Sequence, residues 1–191
     1  MCKVNQYKYL GLVLDYKLDY NVTAQVVAKS ANRALGLVIS KAKACGGLSY
    51  KCFTKLYDSM VVPIIRYGAA VWGHKEYSCI NAVHNRMCRY FLGVKKYTPN
   101  AAVQDDMGVR VPWQHQSEEI ARQWVRNIKM PDCRTNKQIF IWAKNQSCKN
   151  WTKRAKELLH TYDLENYIDV LHIDKVPFLE SVKEQLEYIH E

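Results

Sequence analysis

Two adjacent carboxylates, Asp105 and Asp106, have the most obvious catalytic potential in this chain of 191 residues. Paired aspartates can hold the two metal ions used by enzymes that transfer phosphoryl groups. In nucleotide-transfer enzymes of this kind the pair lies on a tight β-hairpin, usually after an aromatic residue. Here the pair follows Gln104, inside a segment that Pro99 opens and Gly108 ends as a short helix. We therefore predict a solvated helix face and no catalytic residue there.

Cys79, His84 and Cys88 are a second candidate group, because thiolate and imidazole are the usual ligands of zinc. A zinc knuckle needs two close ligand pairs, and the chain contains no Cys-x-x-Cys pair. Phosphate-binding and nucleophile motifs such as the P-loop, GxGxxG and GxSxG are also absent from the sequence. The sequence therefore predicts buried core residues here, with no metal and no cofactor.

Basic residues form the strongest positive signal. Lys29, Arg33 and Lys43 recur at helical spacing on one face, which Gly36 and Ser40 share. Further cations lie on the outer faces of the helices predicted next, at Lys51, Lys55, Arg86 and Arg89. Residues 1–95 hold 14 Lys or Arg and 4 Asp or Glu, whereas residues 96–191 hold 14 of each. The whole formal net charge of +10 therefore falls in the first half and predicts a face that binds polyanions.

Solvation alone, or an anionic membrane, could also account for this basic face. A lysine-rich helical face is often ordinary solvated surface, and a membrane with anionic lipids is itself a polyanion. The longest apolar run, Met60 to Trp72, contains Pro63 and Arg66 and is too short for a membrane span. No apolar signal-peptide segment follows Met1, and the seven cysteines show no tight pairing. We therefore expect reduced thiols and a cytoplasmic or nuclear protein that is not secreted.

The elements that must position these residues are mostly helices. Residues 6–14 predict one buried strand, and residues 21–45 predict a long amphipathic helix. Ser49 caps the next predicted helix, whose inner face includes Met60. The apolar segment Ile64 to Trp72 predicts a fully buried element.

Later helices are predicted from their caps and breakers. The helix over 77–92 has Asn85 on its outer face and ends at Gly93. Thr98 caps the helix that ends at Gly108, and Pro112 begins another. Thr135 and Asn150 cap two more. The fold class is mainly α with a short N-terminal β segment over residues 1–20. The change in charge balance then separates the basic residues 21–95 from the neutral residues 96–191.

Several short motifs together resemble one family. Tyr9-Leu10-Gly11 is similar to the primer-grip hairpin of non-LTR retrotransposon reverse transcriptases of the LINE and jockey type. Further segments follow in the family's order: Pro63-Ile64-Ile65-Arg66-Tyr67-Gly68, Val71-Trp72-Gly73, Asn85-Arg86-Met87-Cys88-Arg89, Leu92-Gly93-Val94, and Thr98 to Val103 with the closing Gly108. No single motif is specific, and the resemblance depends on their order over residues 7–108.

The resemblance implies a primer-grip-like segment, a thumb-like helical bundle over 21–95 and a helical connector over 96–191. In such enzymes the fingers and the palm, with its catalytic aspartates, precede the primer grip. We therefore expect a truncated fragment that binds the backbone of an RNA–DNA or RNA duplex without catalysis. The alternatives are a non-functional retroelement remnant or a helical protein-interaction module that uses tryptophans, namely Trp113, Trp124, Trp142 and Trp151.

Overall fold

A computed structural model describes residues 5–146, 150–168 and 175–188. The chain divides into two compact units. Unit 1 comprises Met1–Gly68 and Lys75–His115, and unit 2 comprises Ala69–His74 and Gln116–Glu191. Helices dominate the described residues, and the strands form one two-stranded sheet near the N-terminus. The predicted fold class, mainly α with an N-terminal β segment, is confirmed.

Unit 1 opens with a β-hairpin. Strands β1 (Gln6–Tyr9) and β2 (Leu12–Asp15) pair antiparallel, with Tyr9 opposite Leu12. Leu10 and Gly11 have φ angles of 45° and 86°, so they form the two-residue turn that the twist of a hairpin favours. The prediction of one buried strand over 6–14 is therefore wrong. The chain reverses at Leu10-Gly11, and β1 is exposed along its whole length.

Helix α1 (Asn21–Ala44) confirms the predicted long amphipathic helix. Its buried stripe consists mainly of small and β-branched residues: Ala24, Val27, Ala28, Ala31, Leu35, Val38, Ile39 and Ala42. Helix α2 (Tyr50–Met60) follows, and the Ser49 hydroxyl accepts a hydrogen bond from the Cys52 amide at 3.4 Å, as a helix N-cap does. Phe53 and Tyr57 of α2 are buried, but Met60 is 40% exposed, so its predicted inward position is wrong.

The segment predicted to be fully buried is broken in two. Helix α3 (Val62–Arg66) belongs to unit 1, and helix α4 (Ala69–Trp72) belongs to unit 2. Gly68 has a φ of 64°, a left-handed conformation that ends the helical path. Tyr67 is 55% exposed and Val71 is also exposed, which contradicts full burial. Local apolar composition did not reveal this break.

Helices α5 (Ser78–Leu92) and α6 (Asn100–Met107) complete most of unit 1. Gly93 and Gly108 end them in left-handed conformations, as predicted. Asn85 was predicted to face outward but is buried, and its Oδ1 accepts a hydrogen bond from Gln104 Nε2 at 2.7 Å. The Thr98 cap is also wrong, because the N-cap position of α6 is Pro99.

The remaining helices are α7 (Pro112–Ile128), α8 (Thr135–Lys144), α9 (Trp151–Thr161) and α10 (Lys175–Tyr188). In unit 2 the Trp124 ring packs edge-on against Phe140, with ring centroids 5.1 Å apart. The Asn150 cap is confirmed, since its Oδ1 accepts from the Lys153 amide at 2.9 Å. The Thr135 cap is wrong, because Arg134 holds the N-cap position and no side chain caps it.

Candidate nucleic-acid interface

The predicted basic face of α1 is present and exposed. Lys29, Arg33 and Lys43 all lie on the solvent side of the helix, opposite its buried stripe. The Arg33 guanidinium donates to the Ser30 hydroxyl at 3.2 Å, which leaves its other nitrogens available. Exposed cations spaced along one helix can contact successive phosphates of a nucleic-acid backbone.

Helix α5 brings a second set of cations to α1. Arg86 is exposed, and its Nη1 donates to the Asn32 side chain of α1 at 2.9 Å. Further along both helices, the Lys43 ammonium lies 5.9 Å from the Tyr90 ring centroid. These contacts bring together basic residues of two helices that are about 50 residues apart in the sequence. Arg86 and Lys43 thus belong to one surface of unit 1.

Arg89 has a different position from the other predicted cations. Its Nη2 donates to the Thr98 carbonyl at 2.9 Å and to Asn100 Oδ1 at 2.5 Å. The guanidinium is only partly exposed and ties the loop between α5 and α6 to α5. Arg89 therefore shapes the surface through this loop as well as contributing charge to it.

Arg86 and Arg89 line an open cleft of about 730 Å³ between α5 and the following loop. Arg86, Arg89 and Tyr90 come from α5, and Lys96 comes from the loop. Sequence reasoning missed Lys96, although the Lys95-Lys96-Tyr97 run was visible. The Lys96 ammonium lies 5.0 Å from the Tyr97 ring centroid, a cation–π distance. The cleft thus combines three cations with one aromatic ring, that of Tyr90.

Two predicted contacts lie elsewhere in unit 1. Lys51 and Lys55 are exposed on α2, and the described lining of the cleft contains no residue of this helix. Helix α2 is fixed by its buried face, where the Phe53 ring lies 5.2 Å from Phe91 and 5.7 Å from Tyr90. The two lysines therefore lie outside the lining of this cleft, on another helix of unit 1.

The primer-grip-like residues lie in the exposed turn of the hairpin. Leu10 is 72% exposed, and Tyr9 and Gly11 are also exposed. The Tyr67 hydroxyl donates to the Leu10 carbonyl at 2.6 Å and so fixes the turn to unit 1. The turn therefore presents apolar surface to solvent.

A buried polar row supports α5 from inside unit 1. His84 Nδ1 lies 3.2 Å from the Tyr57 hydroxyl, and His84 Nε2 lies 3.6 Å from the Cys88 thiol. Burial lowers the pKa of His84 to about 4 and raises the pKa of Cys88 to about 11. The described residues contain no cluster of three or more potential metal ligands. His84 and Cys88 are buried core residues, as predicted, but Cys79 is only partly buried, so its predicted burial is wrong.

The other candidates also have clear positions. Asp105 and Asp106 are exposed on α6, which confirms the predicted solvated helix face. Among the tryptophans, Trp124 is fully buried, and the Trp151 indole donates to the Ala70 carbonyl at 2.6 Å. Trp142 is 62% exposed on α8. None of the helices in the described part of the chain has both the length and the apolar character that a membrane crossing requires.

Comparison with known proteins identifies one informative relative. The chain is 25% identical over 171 residues to the RNA-directed DNA polymerase from mobile element jockey of Drosophila melanogaster. The resemblance to a retrotransposon reverse transcriptase is confirmed. The match covers 85% of this chain but only 18% of the relative, so the chain spans less than a fifth of that polymerase's length. No family model and no solved structure matches the chain.

Proposed function

We propose that this chain binds the sugar–phosphate backbone of an RNA–DNA or RNA duplex, without base-specific contacts and without catalysis. It would act as the thumb-like part, residues 21–95, and the connector, residues 96–191, of a jockey-like RNA-directed DNA polymerase. One observation carries the proposal. The packing of α1 against α5 brings Lys43 and Arg86 onto one surface beside the cleft that contains Lys96.

The chemistry of this surface suits a duplex backbone. Arginine presents a planar set of donors that matches two phosphate oxygens, and lysine provides a mobile point charge. Contacts of this kind release counterions from the nucleic acid and carry no sequence information. The exposed cations Lys29, Arg33, Lys51 and Lys55 would extend the same attraction beyond the cleft.

The hairpin is proposed to keep the role that its resemblance implies. Tyr9, Leu10 and Gly11 would contact the primer strand, supported by the hydrogen bond from the Tyr67 hydroxyl. The residues that would supply catalysis in the parent enzyme belong to its palm. The proposed partners are therefore a nucleic-acid duplex and the palm and fingers of such a polymerase.

Salt dependence is the direct test of backbone binding. The affinity of the purified chain for a labelled RNA–DNA hybrid should be measured by fluorescence anisotropy at several salt concentrations. The slope of log K against log salt is roughly −0.7 to −0.9 for each neutralised phosphate. If only the exposed cations of α1 and α5 contact phosphates, the slope should be about −3; these are Lys29, Arg33, Lys43 and Arg86. If Lys51, Lys55, Arg89 and Lys96 also contact phosphates, the slope should be about −6.

Charge reversal locates the contact. The double variant Lys29→Glu with Arg33→Glu should bind roughly 10- to 100-fold more weakly at low salt, with a shallower slope. Lys183→Glu, an exposed lysine on α10, is a control for the loss of positive charge. Binding that does not depend on salt, or equal losses in both variants, would contradict the proposal.

The absence of catalysis has its own assay. A primer annealed to an RNA template is incubated with the chain, Mg²⁺ and dNTPs, and extension products are separated on a denaturing gel. We expect no extension above a control without protein. Any template-dependent extension by the purified chain would show that the non-catalytic part of the proposal is wrong.

A protein-interaction module is the second candidate, favoured by one exposed apolar group on α8. Trp142, Ile139 and Ile141 are all exposed there. This candidate predicts a stable complex in a pull-down that Trp142→Ala abolishes and that Lys29→Glu with Arg33→Glu leaves intact. A complex with the reverse sensitivity would favour the nucleic-acid interface instead.

A further inference from the structure

The neutral second half of the chain conceals a separation of charge. Residues 116–146 hold six Lys or Arg and three Asp or Glu, whereas residues 147–191 hold six and nine. The balance over 96–191 therefore averages a basic segment with an acidic one. Helix α8 and the part of α7 from Gln116 onward belong to unit 2 and lie in the basic segment. The structural roles of its cations decide whether any of this charge is available to a ligand.

Three of these six cations are used within unit 2. The Lys137 ammonium is buried and donates to the Ile128 carbonyl at 2.5 Å, and the Lys144 ammonium donates to the Ile168 carbonyl at 2.7 Å. Arg122 pairs with the buried carboxylate of Glu118 at 2.6 Å. Lys137, Lys144 and Arg122 are thus already bound to carbonyls or a carboxylate within unit 2.

The other three cations, Arg126, Lys129 and Arg134, are exposed. Their side chains form no hydrogen bond or ion pair with any residue in the described part of the chain. Basic residues in the last turn of a helix, such as Arg126 of α7, or just after it often compensate the negative C-terminal end of its dipole. Here Lys137 already contacts the last turn of α7 directly, so that role does not require these three cations.

Arg126, Lys129 and Arg134 line one open groove, with a volume of about 580 Å³. Arg122 also reaches this groove, and Met130 and Pro131 contribute apolar surface. Glu119 supplies a carboxylate, which lies 3.9 Å from Arg122. The groove is therefore net positive, and its size is within the usual range of ligand sites.

We propose that this groove of unit 2 is a second nucleic-acid site, which holds the phosphates of a single strand over one or two nucleotides. Arg126 and Arg134 would each offer a guanidinium fork to a phosphate, and Lys129 would add a point charge. Met130 and Pro131 give apolar surface against which a sugar or base can pack. The choice of nucleic acid as occupant rests on the proposed function, whereas the location of the site does not.

Two double variants of the full chain test the site. Arg126→Gln with Arg134→Gln removes two groove charges, and Lys153→Gln with Lys183→Gln removes two exposed charges elsewhere in unit 2. Fluorescence anisotropy measures binding of a labelled oligothymidine of about 12 nucleotides. We expect the groove variant to bind at least about tenfold more weakly than wild type, and the control variant to change about twofold or less. Equal binding by the two variants, or no binding of the oligonucleotide by wild type, would overturn the inference.

A measurement on the wild-type chain does not depend on how the variants fold. Acetylation by a soluble N-hydroxysuccinimide ester, read by mass spectrometry, should be slowed at Lys129 by the oligothymidine and unchanged at Lys183. Equal rates at Lys129 with and without the oligonucleotide contradict the site. A polyglutamate peptide of equal charge that competes as well as the oligothymidine would instead assign the groove to an acidic protein segment.

Failure of this site and failure of the proposed function give different results. If the Lys29→Glu, Arg33→Glu variant binds the RNA–DNA hybrid normally while the groove variant loses the single strand, the unit 1 proposal fails and this site stands. If the Lys29→Glu, Arg33→Glu variant loses the hybrid while the groove variant binds the single strand normally, the groove site is contradicted and the unit 1 proposal stands.

Discussion

The buried His84 predicts that this protein loses stability between pH 7 and pH 5. Its imidazole is fully buried on α5, between the Tyr57 hydroxyl and the Cys88 thiol. Burial lowers the pKa of His84 to about 4 in the folded protein, from an ordinary value of 6.5. Protonation therefore favours the unfolded chain, in which the ring is solvated.

The magnitude follows from the two pKa values of His84. Because the folded value is the lower one, the contribution to stability is complete above pH 6.5 and is lost as the pH falls toward 4. A difference of 2.5 pKa units corresponds to about 3 kcal/mol in the free energy of unfolding. About 2 kcal/mol of this should disappear between pH 7 and pH 5.

Urea unfolding followed by circular dichroism at pH 7, 6 and 5 measures this loss. The matched variant is His84→Gln, which keeps a polar side chain at the site but cannot be protonated in this range. Wild type should lose about 2 kcal/mol more than the variant between pH 7 and pH 5. Identical pH dependence of the two proteins would refute the reasoning.

Titration of the His84 ring in the wild-type protein tests the same pKa shift and does not depend on how well the variant folds. The NMR signal of the His84 ring in wild type should show no protonation above about pH 5. A midpoint near 6.5 would show that burial does not control this imidazole. Helix α5 also carries Arg86 and Arg89, so acid destabilisation should reduce the fraction of chains that present the proposed interface.

Further predictions concern the backbone and the helix caps. Gly68→Ala should lower the free energy of unfolding by about 1 to 2 kcal/mol in urea denaturation, because Gly68 has a φ of 64° and an added Cβ would lie 2.6 Å from Leu12 Cδ1. Gly36→Ala is its control in unit 1: no atom lies within 4 Å of an added Cβ in this helical position, so we expect a gain of about 0.5 to 1 kcal/mol. Asn150→Ala should cost about 1 kcal/mol through loss of the α9 cap, measured by thermal denaturation, whereas Thr135→Ala should change stability by less than about 0.5 kcal/mol. Similar losses at Asn150 and Thr135 would contradict the cap assignment.

Local signals in the sequence predicted the helices well. The apolar period of α1, the caps at Ser49 and Asn150 and the helix ends at Gly93 and Gly108 were all found where expected. Each of these features depends on residues within about one helical turn of each other, so neighbouring residue types are sufficient to predict them.

Predictions about burial and strand pairing failed where the packing partners in the folded chain decide the outcome. The helical pattern of α5 places Asn85 on the polar face, but the structure buries it. Its side-chain oxygen accepts a hydrogen bond from the Gln104 amide of α6. The segment over residues 6–14 is long enough for one strand. It instead turns at Leu10-Gly11, so that β1 pairs with β2. The choice in both cases depends on which packing partners the folded chain provides.

The charge of the chain shows the same division between sequence and structure. The amino-acid sequence determined that residues 1–95 carry the whole net charge of +10 and that exposed helix faces carry its cations. Only the tertiary structure decided that Arg86 meets α1 at Asn32, that Lys96 joins the same cleft, and that Arg89 holds a loop. Counts along the chain sum charges by sequence position, whereas a ligand is bound by charges that folding brings within a few ångströms of one another.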